Sequence, residues 1–317
     1  MDDSYLVISP CRNEAEFMLS TLESVVSQSV PPTKWIIVDD GSTDATPEIL
    51  QRYAEKYHYI QIVTRQNRGH RSVGPGVIEA FYAGLEQANL DDYQFVCKLD
   101  LDLELPRNYF RILMNKMHDN PRIGTCSGKP YNRIGNKLVS EKRGDEMSVG
   151  MTKFYRVSCF KEIGGFVSEV MWDAIDCHRC RQLGWIACSW DEEDLRFVHL
   201  RLMGSSQNGV LTGRMRHGFG QYFMGTGIAY MFATSVYRMF HPPYVSGGAA
   251  MFWGYLRSAL SRAPRYNDRA LRDFIATYQW RCLLLGKTRA TEFFNEQQAR
   301  VWCDARKAAP SSLQGKL

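Results

Sequence analysis

An α/β fold is what this sequence predicts: a mostly parallel sheet with flanking helices, followed by a mainly helical, basic and aromatic C-terminal appendage. Three observations predict it. Short apolar runs rich in β-branched and aromatic residues recur at 5–9, 35–39, 60–64 and 95–99. Stretches with helical spacing separate them, and such alternation implies parallel strands with crossover helices. Two of the runs end in carboxylates, Val38-Asp39-Asp40-Gly41-Ser42 and Leu99-Asp100-Leu101-Asp102. Ligands on parallel sheets bind outside the carboxyl ends of the strands, so both acidic ends should share one site.

The elements follow in order. Residues 16–28 carry a helical stripe of Phe17, Leu19, Leu22, Val25 and Val26. Asp44 is placed to cap a helix over 46–57, with Pro47 in its first turn. A third helix is expected over 77–87. Past Pro106 the pattern predicts a helix over 108–117, strands over 124–131 and 152–155, a break at Gly164-Gly165 and a helix over 172–183. Beyond Phe197 the chain changes to glycine-punctuated aromatic and aliphatic stretches. The expected division is therefore a domain of residues 1–200 and a helical region of residues 201–317.

The net charge of +5 hides an asymmetry. Residues 195–317 hold 17 Lys and Arg against 5 Asp and Glu, whereas residues 1–194 hold 22 against 29. A basic half suggests an anionic partner. Nucleic acid is disfavoured, because no helix-turn-helix, zinc-finger or aromatic-basic RNA signature is present. A phospholipid surface or a phosphorylated lipid fits better, since the cations are interleaved with Phe, Trp, Tyr and Met. Residues 219–240 are largely apolar but diluted by Gln221, Thr226, Thr234, Ser235 and Arg238. With 244–260 they read as an interfacial amphipathic hairpin flanked by Arg238, Arg257, Arg262 and Arg265. A soluble helical subdomain packed on the sheet is the equal alternative. Nine scattered cysteines and no signal peptide before Tyr5 point to a reducing cytoplasm. Cys177 and Cys180 are half a zinc site without a second pair. Only the tail over 308–317 has a disordered composition.

Chemistry concentrates at the strand ends. Asp100 and Asp102, at i and i+2 after a buried strand, can hold a divalent cation that in turn holds a diphosphate. A solvated acidic loop is the bland alternative. Arg12, Asn13 and Glu14 offer a cation, an amide and a carboxylate beside a helix start, which suits a nucleotide; a polar loop with a capping Asn reads equally well. The loop Asn67-Arg68-Gly69-His70-Arg71 is either a basic contact to the nucleotide or a solvated turn.

Taken together, Ser9-Pro10-Cys11-Arg12-Asn13-Glu14, Val38 to Asp44, Leu99 to Asp102 and Gly164-Gly165-Phe166 resemble the landmarks of the family 2 inverting glycosyltransferases of GT-A fold. The resemblance covers roughly residues 4–200. It implies that Asp40 bonds the N3–H of a uracil-type base, while Pro10, Arg12 and Glu14 line base and ribose; Arg71, in the basic loop, is the further candidate contact to the nucleotide. It places Asp100 near ribose and metal, and Asp102 on the Mn2+ or Mg2+ of the sugar-nucleotide diphosphate. His199 is preferred over His217 as a late metal or diphosphate ligand, against the alternative of a structural histidine. The catalytic base falls on Asp173 rather than Asp176 by spacing back from Gly184. The family's usual Glu-Asp is here Trp172-Asp173, and the alternative role for Asp173 is a helix cap.

The expected function is metal-dependent inverting transfer from a nucleotide-diphosphate sugar, UDP-type favoured, to a glycan or lipid-linked saccharide. The expected place is the cytoplasm, with peripheral contact to the inner face of the cell membrane. Processive synthesis is disfavoured, because Arg181-Gln182-Leu183-Gly184-Trp185 is not a Q-x-x-R-W motif and no run of transmembrane helices is visible. A sugar-1-phosphate nucleotidyltransferase is one alternative, although 9–14 lacks the glycine-rich loop it needs. A non-catalytic sugar-nucleotide or glycan-binding protein is the other, and it would need no base.

Overall fold

The four apolar runs are strands; those over 5–9, 35–39 and 95–99 are buried on both faces because helices cover both, and that over 60–64 is half-buried at the sheet edge. The computed structural model describes residues 3–69, 74–201 and 209–307. The chain begins β1 (Tyr5–Cys11), α1 (Met18–Val26), β2 (Lys34–Asp39), α2 (Thr46–Lys56), β3 (Ile60–Thr64), α3 (Pro75–Leu85) and β4 (Phe95–Leu99). It continues through β5 (Leu103–Glu104), α4 (Tyr109–Asp119), β6 (Ile123–Ser127), β7 (Lys129–Ile134), β8 (Lys137–Ser140), β9 (Thr152–Arg156), α5 (Val157–Glu162), α6 (Trp172–Gln182), β10 (Ile186–Ser189) and β11 (Arg196–His199).

The strand period of two sorts the core. Tyr5, Val7, Trp35, Ile37, Phe95 and Cys97 pack with Leu22 and Val25 of α1, Leu50 of α2 and Phe110 and Leu113 of α4. Leu6, Ile8, Ile36, Val38 and Val96 pack on the other face with Phe81 of α3, Phe160 of α5 and Cys177 and Cys180 of α6. Both of these cysteines are therefore core residues, and among the described residues no group of three or more His, Cys, Asp and Glu is placed to hold a metal ion.

The main sheet has seven strands in the order β10-β6-β9-β4-β1-β2-β3. It is not wholly parallel: β9 runs antiparallel to both β4 and β6. The expected strand over 124–131 is two strands, because the chain leaves the main sheet after β6 and β7 joins a second sheet, β5-β11-β7-β8. Asp44 is not the helix cap expected of it. Ala45 holds that position, while Asp44 accepts from Thr46 N at 3.0 Å and Ala15 N at 3.2 Å, tying two loops together.

The C-terminal region is α7 (Val210–Phe223), α8 (Ile228–Met239), α9 (Val245–Leu260), α10 (Arg269–Leu285), α11 (Lys287–Gln297) and α12 (Ala299–Lys307). The apolar stretch over 219–240 is thus broken between Phe223 and Ile228. No helix among the described residues is long and apolar enough to cross a membrane. Helices α7 and α9 pack backbone to backbone: a Cβ on Gly218 would lie 2.0 Å from Met251 O, and one on Gly254 would lie 2.2 Å from Met215 O. Helix α10 returns to the sheet unit, where Leu271 and Ile275 bury with Ala174 and Ile175 of α6. Arg122, ahead of β6, donates to Gly184 O at 3.1 Å and Asn295 O at 2.7 Å.

Inside this packing lies a fully buried ion pair. Lys153 Nζ on β9 meets both carboxylate oxygens of Asp176 on α6, at 2.6 and 2.5 Å, and Tyr155 OH donates to the same carboxylate. Lys153 also donates to Asp173 O at 2.7 Å. Removing one partner leaves an uncompensated buried charge, so Lys153→Ala should cost about 3–5 kcal/mol of unfolding free energy. The double change Lys153→Met with Asp176→Leu should recover most of that loss. Denaturant titration checks both, and equal stability of Lys153→Ala and wild type would contradict the pair's role.

Candidate active site

The expected ligands gather at the carboxyl ends of β1, β2 and β4, with additions from the second sheet and α6. After β1 the chain turns through Asn13, whose positive φ of 53° a short polar side chain tolerates. Its side chain accepts from Thr43 N at 2.8 Å, and Ser42 Oγ accepts from Asn13 N at 2.9 Å. Arg12 reaches Asp40 O at 2.5 Å and Asn67 Oδ1 at 2.6 Å. Asp39 closes its own turn by accepting from Ser42 N at 2.9 Å. Gly41 follows with φ +73°, and an added Cβ there would lie 2.4 Å from Asn67 Cα, so no other residue fits.

Pro10 is the penultimate residue of β1, paired in register with Val38. Asp40 is almost buried and clamped by Arg65 and Arg68, each at 2.8 Å. A carboxylate has about four lone-pair sites, so two guanidinium bonds still leave room for one ligand donor. Arg65 was not singled out in the sequence, since a lone arginine after a strand carries no pattern of its own, whereas Arg68 belongs to the basic loop over 67–71. Arg71 lies outside the described residues.

The metal candidates sit where β5 pairs with β11. That ladder joins Leu103 to His199 and Glu104 to Val198, which brings Asp102 beside His199 and Arg201. Asp102 Oδ2 lies 3.7 Å from His199 Nε2 and 3.6 Å from Arg201 Nε, while its Oδ1 is buried without a partner. Arg201 also pairs with Glu14, which is 5% exposed and bonds Thr46 Oγ1 through its own N–H at 2.9 Å. Asp100 pairs with Lys98, which also donates to Gly150 O at 3.0 Å.

His199 has a partner that sequence reasoning missed. Its Nδ1 lies 2.6 Å from Glu141 Oε1, just past the β7–β8 hairpin. Donation of the Nδ1 proton to a carboxylate aims Nε2 outward, the arrangement that metal-binding histidines use. An orphaned carboxylate oxygen and an aimed imidazole nitrogen 3.7 Å from the same carboxylate suit a hard divalent cation. The residues present therefore fit Mn2+ or Mg2+ on Asp102 and His199, with Asp100 adjacent and already engaged by Lys98.

Without a cation the same groups hold a proton. Burial disfavours the charged imidazole, but hydrogen bonding and charge from Asp102 and Glu141 outweigh it and lift His199 to about 9. Burial likewise opposes the Asp102 carboxylate, yet His199 and then Arg201 hold it below the usual carboxylate range.

Asp173 stands in the first turn of α6, where the helix dipole favours a carboxylate. It is not a cap: Met171 holds that position in the left-handed region with φ 69°, and no side chain caps the helix. Its carboxylate makes no hydrogen bond or ion pair among the described residues and faces Gly150, where an added Cβ would lie 3.0 Å from Oδ2. Asp176 is taken up by Lys153 and Tyr155, which leaves it no free lone pair facing solvent. Trp172, in the place of the expected Glu, lies with its ring 5.2 Å from Lys98 Nζ and 5.6 Å from Lys153 Nζ. Cation–π attraction thus keeps that position among cations although the carboxylate is gone.

The His199 value yields a stability test. A folded-state pKa raised to about 9 from 6.5 contributes stability that is full below about pH 6.5 and lost as pH rises through about 9. In chelator, the stability advantage of wild type over His199→Gln should shrink across that window when measured by denaturant titration. A constant advantage would mean that the imidazole does not hold the proton.

Known proteins give this geometry its context. The sequence profile of glycosyl transferase family 2 matches residues 6–171. A poly-β-1,6-N-acetyl-D-glucosamine synthase of Staphylococcus epidermidis is 32% identical over 127 residues, which is 40% of this chain and 28% of that protein. The chain therefore aligns with less than a third of the length of the curated relatives it matches. A mannosyltransferase of Pyrobaculum calidifontis, solved with GDP-Man and Mn2+, superposes with a TM-score of 0.51 at 18% identity, covering 96% of this chain and 86% of that one. A fragment of S. aureus TarS in complex with UDP-GlcNAc does so with 0.51 at 14% identity, covering 97% and 93%. These likenesses establish the GT-A fold, and the profile match over the strands that carry Asp40, Asp100 and Asp102 establishes the lineage: the chain belongs to glycosyl transferase family 2.

Proposed function

We propose that this family member is an inverting, metal-dependent glycosyltransferase that moves a sugar from a nucleotide diphosphate to a hydroxyl of a glycan or lipid-linked saccharide. The observation that carries it is the pairing of two half-sites at one sheet end. Asp102 with its orphaned oxygen faces His199, and Asp173 offers a carboxylate without a partner on α6. Membership of glycosyl transferase family 2 favours glycosyl transfer over nucleotidyl transfer, and the unpartnered Asp173 favours catalysis over binding alone.

In this reading Arg12, Pro10 and Glu14 line the nucleoside and Asp40 accepts from the base, with Arg71 reaching the nucleotide from its loop. The UDP-GlcNAc bound by the TarS fragment favours a UDP-type sugar here, against the GDP-Man bound by the Pyrobaculum mannosyltransferase. Asp102 and His199 hold the cation, beside Asp100, and Glu141 fixes the imidazole. Bound there, Mn2+ or Mg2+ neutralises the charge of the departing diphosphate. Asp173 takes the proton of the acceptor hydroxyl as that oxygen attacks in line. Lys153 fixes the position of Asp173 by bonding its carbonyl at 2.7 Å.

A peripheral membrane contact on the cytoplasmic face belongs to the same proposal. Between α8 and α9 runs a groove of about 220 Å³ lined by Phe232, Val236, Met239, Phe252, Trp253 and Leu256. Phe232 and Trp253 are more than half exposed, at 58% and 53%. Residues 202–267 contain six arginines and no Asp or Glu, so the apolar face lies in a wholly cationic segment. An anionic bilayer meets both properties.

Asp173→Asn keeps the shape and removes proton acceptance, so transfer should fall by roughly 10²-fold or more with nucleotide affinity unchanged. Asp102→Ala, or EDTA on wild type, should abolish turnover in the same assay, and full activity in chelator would refute the metal role. For the membrane contact, wild type should co-sediment with anionic vesicles and be partly released by salt, each arginine near the surface adding about 1 kcal/mol. Charge reversal at Arg257, Arg262 and Arg265 should weaken that binding; unchanged sedimentation of the triple variant would refute the interfacial reading.

A further inference from the structure

Helices α8 and α9, joined by residues 240–244, form an antiparallel hairpin. Positions 232, 235, 236 and 239 of α8 and 249, 252, 253 and 256 of α9 follow the same i, i+3, i+4, i+7 spacing. Both stripes line the groove of about 220 Å³ between the two helices. Near the connection the backbones touch, since a Cβ on Gly248 would lie 2.4 Å from Ser235 O and 3.1 Å from Met239 N. Further along, the Phe232 and Phe252 rings meet edge to face at 5.8 Å. Beyond them the same spacing leads to Ile228 and Leu260, which are 59% and 78% exposed. The groove is therefore closed at the connection and open between the start of α8 and the end of α9.

The wall decides what can lie in it. Ser235 is its one polar side chain and is 1% exposed, so the surface offered is hydrocarbon, aromatic rings and a thioether. A peptide strand would bury backbone N–H and C=O groups there without partners. A second copy of this face would bring arginines against arginines, because residues 202–267 carry six of them and no acid. A hydrocarbon chain incurs neither cost. Seven residues of helix rise make the groove about 10 Å long, the length of roughly eight methylenes. Its volume is somewhat above the roughly 150 Å³ of a cavity that takes one benzene, which suits one chain and not two.

The open end is also the cationic end. Arg257 stands in the last turn of α9 and Arg262 follows the helix, both exposed. Arg257 further shares a second groove of about 340 Å³, between α7 and α9, with Arg216 and Ser261. Leu256 and Arg257, adjacent in sequence, thus line the apolar groove and the cationic one respectively. We infer that the α8–α9 groove binds one acyl chain of an anionic lipid, its tail toward the connection and its phosphate on Arg257 and Arg262. Adsorption to a bilayer needs only exposed apolar and basic residues, whereas this site takes a single lipid in a fixed direction. The inference rests on the membrane-contact reading and names its ligand.

Alkyl phosphates below their micelle concentrations probe the site by calorimetric titration of the full chain. From hexyl to octyl phosphate each added methylene should tighten binding about fourfold, and decyl phosphate should gain little more, with one molecule bound per chain. 1-Octanol, which lacks the phosphate, should bind at least about tenfold more weakly. Arg257→Gln with Arg262→Gln should lower octyl phosphate to the 1-octanol level. Ala249→Phe fills the groove from an exposed position and should weaken both ligands about tenfold or more, with an unchanged near-UV circular dichroism reporting an intact fold. 8-Bromooctyl phosphate should quench tryptophan emission in wild type and much less in Trp253→Phe, although it binds both. Affinity that ignores chain length, or that keeps rising past decyl phosphate with several molecules bound per chain, would overturn the inference. So would wild-type affinity in Ala249→Phe, or a dimer in light scattering that Trp253→Arg dissociates, since a second copy would then cover the groove. Sedimentation with anionic vesicles without binding of octyl phosphate would overturn the groove site alone, whereas absence of sedimentation would count against the membrane contact itself.

Discussion

The rest of the site depends on one buried ion pair. Lys153 and Asp176 join β9 to α6 at 2.5–2.6 Å, with side chains 0% and 1% exposed. Such a pair contributes little net stability compared with an apolar packing, but it permits no slippage, because any shift of α6 strands a charge out of water. What it fixes is the start of α6. The same ammonium holds the Asp173 carbonyl and lies over the Trp172 ring, so the helix can begin in one place only. Asp173 is then presented to the site as the one carboxylate of this helix turn not already spent on structure. Met171, in the left-handed region just before it, provides the surface on which Gly220 of α7 rests. The C-terminal helices are thereby positioned from the same anchor.

A second, independent device positions the other half of the site. Strand β5 is two residues long, yet its antiparallel pairing with β11 sets the distance between Asp102 and His199. The β7–β8 hairpin pairs on β11 and delivers Glu141 behind the imidazole. Three segments widely separated in sequence thus converge through short ladders, whose backbone bonds resist the repulsion among Asp100, Asp102 and Glu141. The orphaned oxygens on Asp102 and Glu141 are the residual cost of that convergence.

Legibility followed from physics that acts locally. The strands over 60–64 and 95–99 were readable to the residue: burial writes the run of the second, which a carboxylate ends, while the first, a half-buried edge strand, is marked by its β-branched residues. The helices α1, α2, α3 and α6 were placed to within about two residues, the usual uncertainty of frayed ends. Antiparallel β9 was not legible, since strand direction leaves no trace in composition. Neither was Glu141, a lone acid in the polar segment Glu141 to Asp145, whose role arises only when the hairpin folds back on β11. The apolar stretch over 219–240 misled for a related reason. Its hydrophobicity is shared between two helices facing different partners, and Gly225 and Gly227 mark the break more faithfully than the average does.

The charge asymmetry of the chain also finds a spatial meaning. The strand ends that suit a cation and a nucleotide are acidic, with Asp39, Asp40, Asp100 and Asp102 at their tips and Glu14 and Glu141 behind them. A cation and the arginines at 12, 65, 68 and 201 offset this on the donor side. On the α6 side Asp173 is the carboxylate left without a hydrogen bond or ion pair among the described residues. The helical region redresses the balance of the whole chain, because residues 202–267 carry six arginines and no acid. Helices α7, α8 and α9 therefore bring cations to the sheet unit without adding to its excess of carboxylates, and the acid-free run is where the charge asymmetry of the sequence lies.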